Sequence, residues 1–408
     1  METLQPKLRF PEFKNDVTSY KNHLFNDLFM FSTGKNIKQS EASPDFQVPC
    51  VRYGELYHMY NEVIRHVINK TNLDITELHF SKGNEILLPS AGEDPLDIGS
   101  ASALTVENVA IGRTINVLRP LKENIYSQIF VSYYINHKLK VKISTLAKGS
   151  SISNVYNSDL KTLEINLPSL PEQTRIANFL SAVDEKLYLL KEKKALLEEY
   201  KKGMMQKIFN QELRFKDDNG DDFEDWEEKS LQELCDYKNG GSFEKHVCED
   251  GIYNLISLNS IDINGKIKQK HKKVSITDNS LQKGDLILVL SDVAHGNFLG
   301  LTDIVPGDNF VLNQRMGALK PKENFSRFYL KTYINFNQSY FKLMGQGSSQ
   351  QNLSKGDIES FVIKLPCLQE QTKIAQFLSA IDDKISLVGN QIEETVEYKK
   401  GLLQGMFV

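Results

Sequence analysis

The sequence predicts an α+β protein in which two globular mixed α/β domains are separated by two long helices packed as an antiparallel coiled coil. Three observations predict this fold: one sequence unit occurs twice, the end of each unit has a 3.5-residue apolar period, and the part between has strand-like runs. The length of 408 residues suits two to four domains. With 40% apolar and 25% charged residues, the composition excludes disordered, collagen-like and disulfide-scaffold proteins.

The repeat is plain in the sequence. Residues 167–187 recur as residues 365–385 at an offset of 198, and 14 of the 21 positions are identical. A weaker offset of 206 aligns Gly34 with Gly240. The chain is therefore two copies of a unit of about 200 residues, which predicts an internal pseudo-two-fold repeat. Gene duplication alone does not explain why only the ends of the two copies stay alike.

The boundaries follow from the repeat and from composition. We expect a first globular domain at 1–166, a central long helix at 167–215, an acidic hinge at 216–228, a second globular domain at 229–364 and a C-terminal long helix at 365–408. The hinge contains Asn-Gly within a run of acidic residues, which favours a turn after the first helix.

Each long helix carries an apolar stripe at alternating 3/4 spacing, which is typical of a coiled coil. We expect the two stripes to pair within the chain, although pairing with a separate protein is a competing interpretation. Gly203 and Gly401, at equivalent places, predict a close backbone approach or a bend. The stripe residues, which are also the candidates for docking a partner, are Ile176, Leu180, Val183, Leu187, Leu190 and Leu197 in the first helix and Ile374, Leu378, Ile381, Ile385, Val388 and Ile392 in the second.

The two inserts mix strand-like and helix-like segments. Residues 85–88, 114–118, 284–290 and 361–365 are rich in apolar and β-branched residues and predict strands. Residues 126–143 and 325–343 have apolar faces with helical spacing. Each insert is long enough to bury a core of its own, so each is predicted to be a separate domain.

Charge is distributed unevenly along the chain. The formal net charge is −4, but residues 216–228 hold eight acidic residues and one basic residue, so this segment is −7 and the remainder is +3. The overall value therefore does not exclude nucleic acid as a partner. The lysine-rich residues 265–273 could contact DNA phosphates or form an ordinary solvated loop, and the sequence favours neither interpretation.

The sequence lacks the linear motifs of common enzymes. It has no phosphate-binding GxxxxGK[ST] or GxGxxG segment, no GxSxG, no HExxH and no Asn-Pro-Pro-Tyr segment of amino-methyltransferases. The four cysteines do not have zinc-ligand spacing, no secretory signal is visible, and the longest apolar run is far too short to span a membrane. We expect a cytoplasmic protein without a metal site; the missing motifs make an enzyme less expected but do not exclude one.

Three sequence patterns now point to a family. The segment Leu-Pro-x-Leu-x-Glu-Gln-x-x-Ile-Ala-x-Phe-Leu-Ser-Ala-x-Asp begins at both Leu167 and Leu365. A Gly-Ser-Ser-x-x-Asn pattern begins at Gly149 and at Gly347, and Asn-Gln-Arg ends at Arg315. These features closely resemble type I restriction–modification specificity subunits over essentially the whole chain. The first insert has no clear counterpart of Asn-Gln-Arg.

The resemblance implies a DNA reader that catalyses nothing itself. Each insert would be a target recognition domain that reads one half of a bipartite, asymmetric site in double-stranded DNA. The long helices would set the spacing of the halves and dock two adenine-methyltransferase (modification) subunits, which use S-adenosylmethionine. Restriction subunits that translocate DNA with ATP and Mg²⁺ would join this core.

Polar and basic residues on predicted loops are the candidates for DNA contact, because they can reach base edges or phosphates. A coiled-coil adaptor whose inserts bind protein, and a self-contained DNA enzyme, remain alternatives. The candidates are Lys35, Asn36, Lys38, Arg52, Tyr53, Lys148, Ser150, Ser151 and Asn154 in the first domain and Lys238, Asn239, Ser242, Lys245, Arg315, Gln346, Ser348, Ser349, Gln350, Gln351 and Asn352 in the second.

Overall fold

The chain divides into two compact units in a computed structural model. Unit 1 comprises Met1–Glu192 and Gly389–Val408, and unit 2 comprises Lys193–Val388. Each unit therefore holds one insert together with parts of both long helices. The structure describes residues 5–14, 20–149, 151–278, 281–293, 296–322, 325–347 and 350–408.

Unit 1 contains short strands and helices, the first part of the long helix α7 (Leu170–Phe209) and the last part of the long helix α12 (Leu368–Met406). Its strands are β1 (Lys21–Leu24), β2 (Phe29–Thr33), β3 (Val48–Val51), β4 (Val63–Ile64), β5 (Lys70–Thr71), β6 (Phe80–Lys82), β7 (Glu85–Pro89), β8 (Ala91–Gly92), β9 (Ser102–Leu104), β10 (Glu107–Ile111), β11 (Ile115–Pro120), β12 (Ser153–Asn154) and β13 (Glu164–Leu167). Its helices are α1 (Phe25–Leu28), α2 (Glu55–His58), α3 (Pro95–Ile98), α4 (Gln128–Tyr134), α5 (Lys140–Thr145), α6 (Asn157–Leu160) and the first part of α7 (Leu170–Phe209).

Two sheets form the body of unit 1, in the strand orders β2-β11-β7-β9-β4 and β5-β3-β10-β6. The small pair β1-β13 joins the two ends of the insert to each other, and the pair β8-β12 joins its middle to a segment near its end. A π-helical turn at Ile135–Leu139 connects α4 to α5, so the predicted helix at 126–143 is confirmed as one nearly continuous helical segment. Its aromatic face, with Phe130 and Tyr133 fully buried, packs in the same core as the start of α7.

Unit 2 repeats this plan with different lengths. Its strands are β14 (Glu227–Ser230), β15 (Cys235–Asn239), β16 (Tyr253–Ile256), β17 (Lys272–Val274), β18 (Leu286–Val289), β19 (Ser291–Val293), β20 (Thr302–Ile304), β21 (Phe310–Leu312), β22 (Met316–Pro321), β23 (Gln350–Asn352) and β24 (Val362–Leu365). Its helices are the last part of α7, α8 (Leu231–Leu234), α9 (Arg327–Phe336), α10 (Gln338–Met344), α11 (Lys355–Glu359) and the first part of α12 (Leu368–Met406).

The sheets of unit 2 correspond to those of unit 1. Strand order β15-β22-β18-β20 matches β2-β11-β7-β9 of the larger sheet, and β17-β16-β21 matches β5-β3-β10 of the smaller one; β4 and β6 have no counterpart among the described strands of unit 2. The pairs β14-β24 and β19-β23 match β1-β13 and β8-β12. In both smaller sheets one strand pair is parallel, β3 with β10 and β16 with β21. The predicted repeat is thus a repeat of topology as well as of sequence.

The long helices pack antiparallel within each unit, as the apolar period predicts. In unit 1 the first half of α7 shares a core with the last turns of α12, and Ile176 and Leu180 lie beside Leu402 and Met406. In unit 2 the roles are exchanged: Ile374 and Leu378 share a core with the end of α7. The other stripe residues are buried or half-buried; Val183, Leu187, Ile381 and Val388 are the more enclosed, and Leu190, Leu197, Ile385 and Ile392 the less enclosed.

An ion pair recurs on this seam in both units. The Lys201 ammonium lies 2.7 Å from the Asp382 carboxylate in unit 2, and the Lys399 ammonium lies 2.7 Å from the Asp184 carboxylate in unit 1. Lys399 also contacts Glu62 at 3.2 Å. Burial would lower the pKa of Lys399, but the carboxylates of Glu62 and Asp184 outweigh it and the pKa is raised above its ordinary value.

A short segment holds the start of each long helix through a buried glutamate. In unit 1, Arg9 donates two hydrogen bonds to Glu172, at 2.7 and 2.8 Å. In unit 2, Arg214 does the same to Glu370, at 3.2 and 2.8 Å, and the Trp226 indole adds a third bond at 2.9 Å. Both glutamates are fully buried, so these bidentate pairs compensate charges that burial would otherwise penalise.

Of the two alternatives expected at Gly203 and Gly401, the close backbone approach is wrong and the bend stays a prediction. A β-carbon added at Gly203 or Gly401 would meet no atom of the described residues within 4 Å. The backbone therefore makes no close approach at either glycine.

Candidate nucleic-acid interface

The described residues that flank the two Gly-Ser-Ser segments make the same hydrogen bonds in both units. In unit 1, Lys148 and Asn154 exchange backbone hydrogen bonds of 2.9 Å and close the loop. The Asn154 side-chain amide also donates to the Ile152 carbonyl at 3.2 Å. Gly149 has φ +132°, and a β-carbon there would lie 2.1 Å from the Ile152 oxygen, so only glycine fits. We call residues 148–154 loop 1.

The loop of unit 2 has the same hydrogen bonds. Gln346 and Asn352 exchange backbone bonds of 3.0 and 2.9 Å, and the Asn352 amide donates to the Gln350 carbonyl at 3.1 Å. Gly347 has φ +122° and its β-carbon would lie 2.1 Å from the Gln350 oxygen. We call residues 346–352 loop 2. The asparagine of the sequence pattern thus closes each loop, and its part in DNA contact stays a prediction.

Each loop lies against a tight turn between two strands. In unit 1 the Ser90 N–H donates to the Thr114 carbonyl at 2.8 Å, and the Val155 N–H donates to the Ser90 carbonyl at 2.9 Å. These bonds tie the turn at residues 112–114 to loop 1.

In unit 2 the equivalent bonds run from the Leu290 N–H to the Arg315 carbonyl at 3.0 Å and from the Leu353 N–H to the Leu290 carbonyl at 2.9 Å. Thr114 in unit 1 therefore occupies the place of Arg315 in unit 2. The missing counterpart of Asn313-Gln314-Arg315 is Gly112-Arg113-Thr114.

Unit 2 brings several predicted residues together in one polar network. The Arg315 guanidinium donates through Nη2 to the Gln350 amide oxygen at 3.3 Å. Gln350 in turn donates to the Ser291 hydroxyl at 2.7 Å and to the Asn352 side-chain oxygen at 3.0 Å. Arg315 is half-buried, so its position is constrained while its remaining N–H groups stay available.

The first strand of the larger sheet in unit 2 adds further predicted residues beside this network. Lys238 and Asn239 pair with Ala318 and Gly317 on β22, which starts directly after Arg315. Lys238 is exposed and lies 3.4 Å from Asp278. The remaining predicted residues of unit 2 in the described part of the chain, all exposed or half-buried, are Ser242, Lys245, Gln346 and Gln351.

In unit 1 the predicted residues Lys35 and Asn36 lie beside the turn at residues 112–114. The Lys35 N–H donates to the Ile111 carbonyl at 2.9 Å, and the Asn36 carbonyl accepts from the Arg113 N–H at 2.9 Å. Both side chains are exposed, although the Asn36 amide also donates to the Glu77 carbonyl at 2.9 Å. Lys38, Tyr53, Lys148 and Ser151 are exposed as well.

Arg52 has a structural partner that the sequence did not reveal. Its Nε lies 2.7 Å from the carboxylate of Glu55, which is buried and also accepts from the Asn69 amide at 2.9 Å. Lys148 likewise lies 2.8 Å from Asp159 and holds the pKa of that carboxyl below its usual range. Ser150, Ser348 and Ser349 lie outside the described residues.

Sequence reasoning missed three residues of unit 1 at this place. Arg113 is exposed, Ile152 is 56% exposed at the tip of loop 1, and Thr114 has φ +67°, which is strained for a β-branched residue. The strand register could have found them, because Ile115 and Met316 start equivalent strands. The offset there is 201 rather than 206 or 198, which hid the match.

The described residues contain little that resembles a catalytic centre. No group of three or more His, Cys, Asp or Glu side chains in this part of the chain could hold a metal ion. Burial raises the pKa of the Cys50 and Cys235 thiols to about 12, so neither is a thiolate near neutral pH. None of the described helices is both long enough and apolar enough to cross a membrane.

Comparison with known proteins agrees with the duplicated architecture. The family described as "Type I restriction modification DNA specificity domain" matches twice, at residues 20–199 and 223–398. The chain belongs to this family. The MjaVIII type I restriction enzyme specificity subunit of Methanocaldococcus jannaschii is 29% identical over 300 residues, which cover 68% of this chain and 69% of that relative.

Solved structures of the family share the fold. The type I restriction–modification S subunit from M. genitalium has a TM-score of 0.65 and 19% identity, with 99% of both chains covered. A structure from work on complex assembly and conformational transition of the type I restriction–modification system has a TM-score of 0.55 and 16% identity, covering 95% of this chain and 97% of that one. As a member of a family of specificity subunits, the chain is a non-catalytic component with DNA-recognition domains.

Proposed function

We propose that the two units are target recognition domains that each read one half of a bipartite, asymmetric site in double-stranded DNA. One observation carries this proposal: the two units share a frame of strands, turn and loop, yet they present different side chains on it. An identical frame suits one mode of docking on the duplex, and unlike side chains suit two different half-sites.

The long helices are proposed to set the spacer and to dock two copies of one methyltransferase subunit. Their outward faces repeat: Leu189 and Tyr200 on α7 correspond, at an offset of 198, to Leu387 and Tyr398 on α12. All four are more than half exposed. Equivalent exposed apolar residues suit two identical partners, whereas the buried stripe residues are occupied by helix pairing. The partners would use S-adenosylmethionine, and restriction subunits would use ATP and Mg²⁺.

The test is a methylation map. The chain is co-expressed with its methyltransferase subunit in a host that lacks DNA methylation, and the genome is sequenced by a method that detects N6-methyladenine. We expect methylation at one split motif, dependent on the chain. A stable complex without methylation, or methylation at an unsplit motif, would contradict the proposal.

Two variants act as reciprocal controls in this test. Leu189→Glu combined with Leu387→Glu should prevent the complex with the methyltransferase subunit and leave binding of the chain to duplex DNA unchanged. Arg315→Ala should leave the complex intact and alter DNA recognition. A complex that survives the double variant would contradict docking on these faces.

A further inference from the structure

Equivalent positions around the tight turn and the loop carry polar side chains in unit 2 and mainly apolar ones in unit 1. Hydrogen bonds of equal pattern place Thr114 of unit 1 where unit 2 has Arg315. Across the neighbouring strand pair, Ala91 aligns with Asn154 of loop 1, as Ser291 aligns with Asn352 of loop 2.

Counting back from the loop asparagines, Ile152 of loop 1 corresponds to Gln350 of loop 2. Unit 2 therefore has an arginine, a glutamine and a serine at this place, and unit 1 has a threonine, an isoleucine and an alanine.

In unit 2 the polar side chains at these positions hold the guanidinium of Arg315 in place. Both hydrogens of the Gln350 amide are used, on Ser291 and Asn352, so the amide oxygen points in a fixed direction toward Arg315. That bond uses one of the five N–H donors of the arginine. The fork that remains matches the O6 and N7 acceptors of guanine in the major groove. Gln350 is the positioning residue for this contact.

The apolar version in unit 1 suits a methyl group. Ile152 exposes 56% of its surface on a loop that is otherwise polar, and its carbonyl is fixed by Asn154. Thr114, which is half-buried, carries a second methyl group on a strained backbone, and such strain is stored at functional sites. In the major groove the C5-methyl group of thymine is the base feature that apolar side chains recognise.

We propose that this place is a base-reading position in both units: Arg315 reads a guanine in the half-site of unit 2, and Ile152 with Thr114 contacts a thymine methyl group in the half-site of unit 1. The inference rests on the proposed function, since it names the bases that the two recognition domains select.

The test uses the full chain purified with its co-expressed methyltransferase subunits and duplexes that carry the mapped site. Each guanine of the site is replaced singly by 7-deazaguanine, which removes the N7 acceptor. At one guanine we expect wild-type binding to weaken about 10-fold or more, because a hydrogen bond to a charged group is lost. Arg315→Ala should bind the unmodified site more weakly and be indifferent to that replacement. Lys355→Ala, at an exposed lysine on α11, is the matched control and should behave as wild type.

The second arm replaces each thymine singly by uracil, which removes only the methyl group. At one thymine in the other half of the site we expect wild-type affinity to fall about fourfold, the value of one buried methyl group. Ile152→Ala should respond less than wild type to that replacement, because Thr114 remains, and should still respond fully to 7-deazaguanine. Gln350→Ala should shrink the response to 7-deazaguanine without changing the response to uracil.

The outcomes separate the inference from the proposed function. A wild-type complex that recognises a split site, while Arg315→Ala keeps the full guanine response or Ile152→Ala keeps the full uracil response, overturns the inference and leaves the function standing. Responses of both variants in the same half-site also overturn it. A wild-type complex without any sequence preference overturns both.

Discussion

Unit 1 and unit 2 hold their long helices in nearly the same way but differ in the side chains around two shared features. On the seam, Lys399 of unit 1 has two carboxylate partners, whereas Lys201 of unit 2 has Asp382 alone among its described contacts. Around the tight turn, unit 2 has a polar network of Arg315, Gln350 and Ser291, whereas the equivalent positions of unit 1 hold Thr114, Ile152 and Ala91. The difference teaches that the two units share a backbone frame while the side chains on that frame differ.

The largest expected effect comes from disrupting the helix pairing, and the loss of stability should be larger in unit 1 than in unit 2. Leu187→Asp places a charge at a buried seam position and should cost about 4 kcal/mol of unfolding free energy or more, whereas Ile385→Asp, at a half-buried equivalent position, should cost about half as much. Circular dichroism melting measures both. Unchanged melting of both variants would contradict pairing within the chain.

The next effect compares the two arginine–glutamate pairs. Glu172→Gln leaves Arg9 almost fully buried with a weakened partner, and we expect a loss of about 3 kcal/mol in unit 1. Glu370→Gln should cost less, because Arg214 is 22% exposed and also donates to the Phe223 carbonyl. Hydrogen exchange read by mass spectrometry assigns each loss to its unit. Equal losses of unfolding free energy would mean that burial of the arginine does not determine how much each pair stabilises its unit.

A smaller difference is expected at the seam lysines. Lys399→Met leaves the carboxylates of Glu62 and Asp184 near each other without a cation and should cost about 2 kcal/mol, whereas Lys201→Met should cost less than about 1 kcal/mol.

The pH dependence of the Lys399→Met loss is a second readout. The folded-state pKa of Lys399 is raised above its ordinary value, so the stability that its charge contributes is fully present below the ordinary value and is lost as the pH rises through the raised one. The loss caused by Lys399→Met should therefore be full at pH 7 and smaller at a pH above the raised value, and urea denaturation at the two pH values measures this. A loss independent of pH would assign the effect to packing alone.

The smallest effect has the opposite sign. Gly203→Ala and Gly401→Ala should each stabilise the chain by about 0.5–1 kcal/mol, because the added methyl group meets nothing and alanine favours the helix. Differential scanning calorimetry should record a slightly higher Tm. A lower Tm would indicate that one of these glycines is needed for a bend.

Most of the fold could be predicted because the repeat and the apolar periodicity are patterns that can be read directly from the order of residues in the chain. The stripe residues, the helical aromatic segment at 126–143 and the strand around Ile86 follow from local patterns that the structure repeats. The glycine of each loop was also visible in the sequence, and the structure shows why it is needed, because its φ is one that other residues rarely adopt.

Side-chain partners that are distant in sequence could not be predicted. Nothing in the local pattern indicates that Asn69 bonds to the buried Glu55, the partner of Arg52, or that Gln350 fixes Arg315. Arg113 and Thr114 were hidden because loops of different length shift the offset between the units. These contacts depend on packing, which one sequence without its fold does not reveal.

The most direct test of the account exchanges residues 229–364 for the same region of another family member and maps N6-methyladenine with the methyltransferase subunit present. We expect one half of the split motif to change, while the other half and the spacer length stay as in the wild type. A change in both halves, or in the spacer alone, would contradict two independent reading units on a shared frame.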